Sequence, residues 1–423
     1  MTSLHIKSAR LIDPANQQDT VTDVYIKDGV IAAIGDAPEA FQSENVIEAD
    51  GLWLLPGLVD LSVYLREPGQ KHKATIAHEM KVAAASGITT VCAMPEPLSP
   101  IKNNAQINLI HEKVLSAKAA QVEVIGTLLD SSEGDQLSNM GSLKKAGCIA
   151  LSQGLAPIQG LNVLRKSMEY AATIGLKLFY QPIEHSLLED GCAHEGAIAT
   201  RLGLPPISTA VETTAMAQML MLVDETKIPV HFCRLSCAKS VELLKQAKES
   251  GLPVTADVAA HQLFLTDMDI SDFNTLCNTM PPLRSQRDQD ALREGVASGV
   301  IDAICSDHQP HDIDAKLSPF QQSSPGISAL ETLLPLTLRL VDEGLLSLEQ
   351  AISRVTHHPA SIINKEKGSL AIGQAADFIL FDQKKYLDIS FDSIQSQGKN
   401  SPFFGWNFTG RVVSTAIAGN IIN

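Results

Sequence analysis

No stretch of the 423-residue sequence reaches 18 uninterrupted apolar residues, so a membrane-spanning helix is not expected. Basic charge is scarce: 33 Lys and Arg stand against 48 Asp and Glu, a formal net charge of −15. That balance repels phosphate backbones and anionic lipid, so neither nucleic acid nor a membrane surface is an expected partner. No Cys-x-x-Cys pair occurs, which leaves a zinc finger without ligands. The seven cysteines are odd in number and scattered, several of them inside apolar runs. They read as buried thiols in a reducing cytoplasm. Met1-Thr2-Ser3-Leu4-His5-Ile6-Lys7 carries no apolar run with a small-residue cleavage site, so a secretory signal is not expected. A Gly-x-Ser-x-Gly elbow, a Gly-rich phosphate loop, internal repeats and low-complexity tracts are missing as well. Ser-His-Asp catalysis therefore has no support.

What is present is ordinary globular composition, 44% hydrophobic and 19% charged, long enough for a large barrel with an appendage. The first fifty residues read as strands. Leu4-His5-Ile6-Lys7 and Asp23-Val24-Tyr25-Ile26-Lys27 alternate, and Asp28-Gly29 supplies a hairpin turn into Val30–Ile34. Asn45–Glu48 and 52–55 follow, stopped by Pro56-Gly57. Near the other end, 376–381 and 411–418 have the same character. Two β-rich ends sharing one small domain would leave the middle as an insertion. That middle has eight short apolar runs: Leu58–Val63, 89–93, 122–127, 148–151, 176–180, 228–233, 253–258 and 301–306. Helical spacing separates most of them, as in 75–85 closed by Gly87 and 238–250 closed by Gly251. The expected fold is a (β/α)8 TIM-type barrel over 56–365, flanked by a small β-sandwich domain from 1–55 and 366–423.

Six fragments at the strand ends carry a resemblance. They are Pro56-Gly57-Leu58-Val59-Asp60, Tyr64-Leu65-Arg66-Glu67-Pro68-Gly69, Gly87-Ile88-Thr89-Thr90-Val91 with Met94-Pro95, Pro281-Pro282-Leu283-Arg284, Ser306-Asp307-His308-Gln309-Pro310-His311, and Ser401-Pro402-Phe403 with Gly405-Trp406. In this order they resemble the dihydroorotase branch of the amidohydrolase superfamily. The resemblance implies a binuclear zinc site that activates a hydroxide for reversible closure of carbamoyl aspartate to dihydroorotate. Such a site needs imidazoles and carboxylates, and residues at i and i+2 of a strand point the same way, which suits a His-x-His pair.

Here the matching positions hold other chemistry. Ser62 and Tyr64 stand where the His-x-His pair would be, Gln153 where a bridging aspartate would be, and Gln181 and Arg234 where two further histidines would be. Asp307 alone keeps the expected acidic ligand. No binuclear zinc, and no other cofactor, is therefore expected. Asp307 is a vestigial base or ligand position. Arg66 and His311 match residues that grip the substrate, but Glu96 and Met280 replace asparagines beside them, and a glutamate would repel a dianion. Arg234 is expected to pair with Asp307 in place of the lost metal charge.

The blander readings apply elsewhere. His72, His78 and His111 read as surface side chains, and His231 and His261 as isolated core or supporting groups. His308 and His311 share a loop with Asp307, a triad that could hold at most one adventitious metal. Glu195 and Glu212 read as solvated groups flanking the barrel mouth. The resemblance extends to non-catalytic family members that associate with aspartate carbamoyltransferase catalytic chains and support their activity in pyrimidine synthesis. The expected function is that of a silent, cytoplasmic structural partner, in a homo- or hetero-oligomer. The alternative is a cyclic amide hydrolase with mononuclear or metal-free chemistry based on Asp307 and His311.

Overall fold

The computed structural model describes residues 3–39, 41–130 and 134–422. Eight parallel strands follow the chain in order around a barrel: Leu58–Val63, Ile88–Ala93, Gln121–Thr127, Ala150–Ser152, Lys177–Tyr180, Val230–Phe232, Val254–Ala259 and Ala303–Cys305. Each expected run contains or overlaps one of them. The ring closes through His308, which pairs with Val63 and exchanges backbone hydrogen bonds with Ser62 and Tyr64 at 3.1 and 3.0 Å. Strands covered on both faces have no polar side to show, which is why they read as short apolar runs. Their inward side chains, among them Val59, Leu61, Cys92, Ile125, Phe179 and Cys305, fill the barrel interior as a separate core cluster. A larger cluster lies between the strands and the surrounding helices.

Residues from both ends of the described chain share one eight-stranded sheet with its own core. Ser3–Asp13 pairs antiparallel with Gln18–Lys27, which pairs in turn with Val30–Ile34. Trp53–Pro56, immediately before the first barrel strand, pairs with Phe378–Asp388, so the first and last segments are locked together where they enter the barrel. The hairpin at Asp28-Gly29 has both residues in the left-handed region, φ 52° and 80°. A Cβ on Gly29 would come within 2.8 Å of the Ala418 carbonyl, so only glycine fits between the two ends of the sheet.

The helix Ile76–Ala85 ends where expected, with the Gly87 N–H closing on Ala84. All seven cysteines are buried and unpaired. Among the described residues no helix is long and apolar enough to cross a membrane.

Candidate functional site

The site lies at the C-terminal ends of the barrel strands, where the chain leaves the sheet and loops supply side chains. Arg234 follows the sixth strand and is wholly buried, with φ 52°. Its guanidinium is the hub of the site. Nε donates to Gln181 Oε1 at 2.6 Å, and Nη1 lies 2.7 Å from Ser62 Oγ, 3.1 Å from Tyr64 Oη and 3.0 Å from Asp307 Oδ1. The Tyr64 ring also stacks within cation–π range, 5.6 Å from the guanidinium carbon. Ser62 and Tyr64 reach one target because they are i and i+2 at a strand end. Asp307, at φ 50°, accepts further hydrogen bonds from Ser62 Oγ at 3.2 Å and from Gln309 Nε2 at 3.2 Å. The expected pair between Arg234 and Asp307 is thus present, with side chains 0% and 2% exposed.

Four of the five altered ligand positions converge on this point. The fifth, Gln153, does not; its side-chain oxygen caps the Leu129 N–H at 3.0 Å. Gln153 sits in the loop after a three-residue strand, and its carboxamide is used to fix the neighbouring loop.

The donor set does not fit a binuclear zinc site. It offers one carboxylate, a neutral hydroxyl, a carboxamide and a phenol that burial pushes up to about 12, all arranged around a cation. Arginine stays protonated in proteins, so it repels a second cation at this position. Burial raises the Asp307 carboxyl above its usual range, and the adjacent Arg234 pulls it back. His231, Cys233 and Asp257 also lie close enough together to suggest a metal. Yet His231 Nε2 is 2.9 Å from Asp257, its Nδ1 is 2.9 Å from Thr255 Oγ1, and burial pushes the Cys233 thiol well up. Asp257 additionally holds the Arg234 N–H at 2.6 Å, so the group supports the arginine's backbone.

The substrate-matching residues are engaged internally. The Arg66 backbone N–H donates to Glu96 Oε1 at 2.8 Å and its Nη1 to Glu96 Oε2 at 3.1 Å; Gln70 Nε2 holds the same carboxylate at 2.6 Å. Glu96 therefore does more than repel an anion. It occupies the guanidinium that an anion would need. The His311 ring is turned to the Pro325 carbonyl, 2.9 Å from Nε2, with Arg66 Nη2 at 3.2 Å. Burial and the nearby Arg66 push this imidazole down to about 2. No hydrogen bond joins His311 to Asp307 among the described residues.

Two expectations are corrected. His308 does not face its loop neighbours; Nδ1 accepts the Ala329 N–H at 3.1 Å, which leaves Nε2 to donate to Glu79, 3.1 Å away. Glu79 lies on the buried face of its helix beside Ile76, Met80 and Ala83, a misplaced charge that could have flagged it. Glu212 is not solvated but 2% exposed, accepting hydrogen bonds from the backbone of Ser236 and Cys237. Glu195 stays at the surface. A residue whose setting the sequence did not disclose is His261: it is buried, neither ring nitrogen has a partner, and burial with the nearby Arg234 charge pushes it down to about 3.

The profile of the Amidohydrolase family matches residues 53–422. The chain belongs to that family. Within it, the amidohydrolase is 42% identical to a dihydroorotase-like protein of Pseudomonas putida and 43% identical to one of Pseudomonas aeruginosa, over 99% of each chain. It is 37% identical to a dihydroorotase of Geobacter sp. over 99% of both chains. In three dimensions it superposes on L-hydantoinase (dihydropyrimidinase) from Arthrobacter aurescens with a TM-score of 0.88, covering 100% of this chain and 96% of that one at 23% identity. This last likeness establishes the fold alone.

Proposed function

We propose that this amidohydrolase is a catalytically silent dihydroorotase-like protein of pyrimidine biosynthesis, acting as a structural and activating partner of aspartate carbamoyltransferase. The observation that carries the silent half of this reading is the Arg234 guanidinium, held by Ser62, Tyr64, Gln181 and Asp307, the residues that the resemblance aligns with metal ligands. Without a metal-activated hydroxide, opening or closing a cyclic amide loses its nucleophile and its Lewis acid together. The pairing of Arg66 with Glu96 supports the same reading, since a dianionic substrate would have to break a buried ion pair to be held. The partnership rests on a whole dihydroorotase-like fold kept around a site with no reaction to run.

The test has three readouts on the purified chain, prepared without chelator. Zinc should fall well short of two ions per chain, dihydroorotase activity should be absent in both directions, and aspartate carbamoyltransferase of the same host should co-purify and lose activity or stability without it. Asp307→Asn lowers stability by stranding the Arg234 charge, but at matched folded protein it should leave the complex and its activity intact. Turnover of dihydroorotate that is abolished by this substitution would overturn the proposal in favour of an altered amide hydrolase.

A further inference from the structure

Beside the Arg234 cluster, between the loops that follow the fourth and fifth barrel strands, lies a half-enclosed cavity of about 150 Å3. It borders the site already described and shares Gln153 and Gln181 with it, but its other lining groups are different. One end is formed by Gly160 and Leu161, the start of the helix Leu161–Thr173. Among the described residues no side chain caps that helix, so its first-turn N–H groups keep their donor capacity, and the space beside Gly160 is open. The adjoining wall is also rich in donors. Gln181 is 4% exposed, with Oε1 committed to Arg234 and Nε2 left without a partner. The Tyr180 hydroxyl has no hydrogen-bond partner among the described residues, and Gln153 has given its oxygen to Leu129 and keeps its amide N–H2. Among the described residues neither Lys nor Arg lines the cavity; its titratable side chains are His185 and Glu184, the latter held in place by the Ser186 backbone at 3.1 Å and hydroxyl at 2.6 Å. The floor is apolar, with Ile158 and Leu164.

A helix N-terminus with supporting donors on the loop after the fourth strand and a fixed carboxylate on the loop after the fifth line the same cavity and form an electric dipole. The ligand that complements it is itself dipolar, with net charge near zero. We propose that this cavity binds a small α-amino acid, with its carboxylate at the start of Leu161–Thr173 and its ammonium group on Glu184. An apolar cavity of about 150 Å3 admits benzene, so the volume suits a ligand of roughly six to nine non-hydrogen atoms. The inference stands whether or not the barrel is catalytically silent.

Titration calorimetry of the whole chain with L-alanine, L-serine and L-asparagine, against acetate, methylammonium and acetamide, tests it. At least one amino acid should bind about tenfold or more tightly than any of the three fragments, because only it engages both ends. Glu184→Gln keeps the loop contacts to Ser186 but removes the charge, and should weaken that amino acid about tenfold. Ala156→Leu, which narrows the cavity from the opposite loop, should abolish binding; unfolding temperatures matching the parent chain would show both variants folded. No binding of any amino acid at about 10 mM, fragments as tight as the amino acids, or affinity unchanged in both variants would overturn the site.

Discussion

His261 shows how a single residue can carry a pH dependence without taking part in any reaction. It is fully enclosed beside Arg234, and burial holds its folded-state value near 3 against an unfolded value of about 6.5. The depressed value means that the folded chain binds no proton here while the unfolded chain does. Its stabilising contribution is present above pH 6.5 and is lost progressively as pH falls toward 3, by roughly 1 kcal/mol per pH unit. His311, depressed to about 2, adds to the same slope, while Asp60, raised by burial to about 6, opposes it as it takes up a proton in the fold. His261→Leu should flatten the fall in denaturant midpoint between pH 6.5 and 5, with little loss of stability at pH 7.5, because neither ring nitrogen gives up a hydrogen bond. An unchanged slope in the variant would assign the acid sensitivity to other groups. At this scale the sequence disclosed Ser62, Tyr64, Gln181, Arg234 and Asp307 as one site, since each sits in a recognisable strand-end motif. Glu79 could be flagged only as a charge on an apolar helix face, and the partners of Glu79 and Glu212, 229 and 24 residues away, left no local trace.

Among the elements, the helix Ala238–Glu249 illustrates a cap borrowed from a neighbour. Its N-cap residue Cys237 makes no side-chain cap hydrogen bond. The orphan N–H groups are met from outside: Glu212, in the first turn of Ala210–Thr226, takes Ser236 and Cys237 at 3.0 and 3.3 Å, and Asp288 takes Ala238 at 2.9 Å. Arg284 Nε completes the set by donating to Ser236 Oγ at 3.0 Å. Buried hydrogen bonds to a charged acceptor contribute about 1.5–3 kcal/mol each. Glu212→Ala should therefore lower stability by about 3 kcal/mol, read as a shift in urea midpoint with unchanged slope. A cost below about 0.5 kcal/mol would mean that water replaces the carboxylate freely. Helix 238–250 was legible in its apolar spacing and closing glycine, but a cap supplied across space leaves no local signature. Strand lengths behaved similarly. Gln18–Lys27 and Phe378–Asp388 run several residues beyond their alternating or apolar cores, because their outer halves pair while facing solvent.

For the whole molecule, eight apolar runs separated by helical spacing were enough to indicate the barrel, and β-rich ends were enough to indicate a shared second sheet. Arg234 ties the barrel strands to one another at the mouth, since its acceptors come from the ends of the first, fifth and eighth of them. Replacing it alone leaves Asp307 buried without a counter-charge, a loss of about 3–5 kcal/mol. Tyr64→His and Arg234→His should each destabilise the fold, and the double variant should be at least 1 kcal/mol more stable than the sum of the two losses, measured as a double-mutant cycle. Additive losses would show that the tyrosine and the arginine act independently.

That shared anchorage has a consequence for redesign. A change toward a metal-binding set, taken one residue at a time, places an imidazole against a guanidinium or strands a carboxylate before any ion can be held. Each single step is penalised by the residues not yet changed. The guanidinium hub thus acts as an interlock, opened only by substitutions made together.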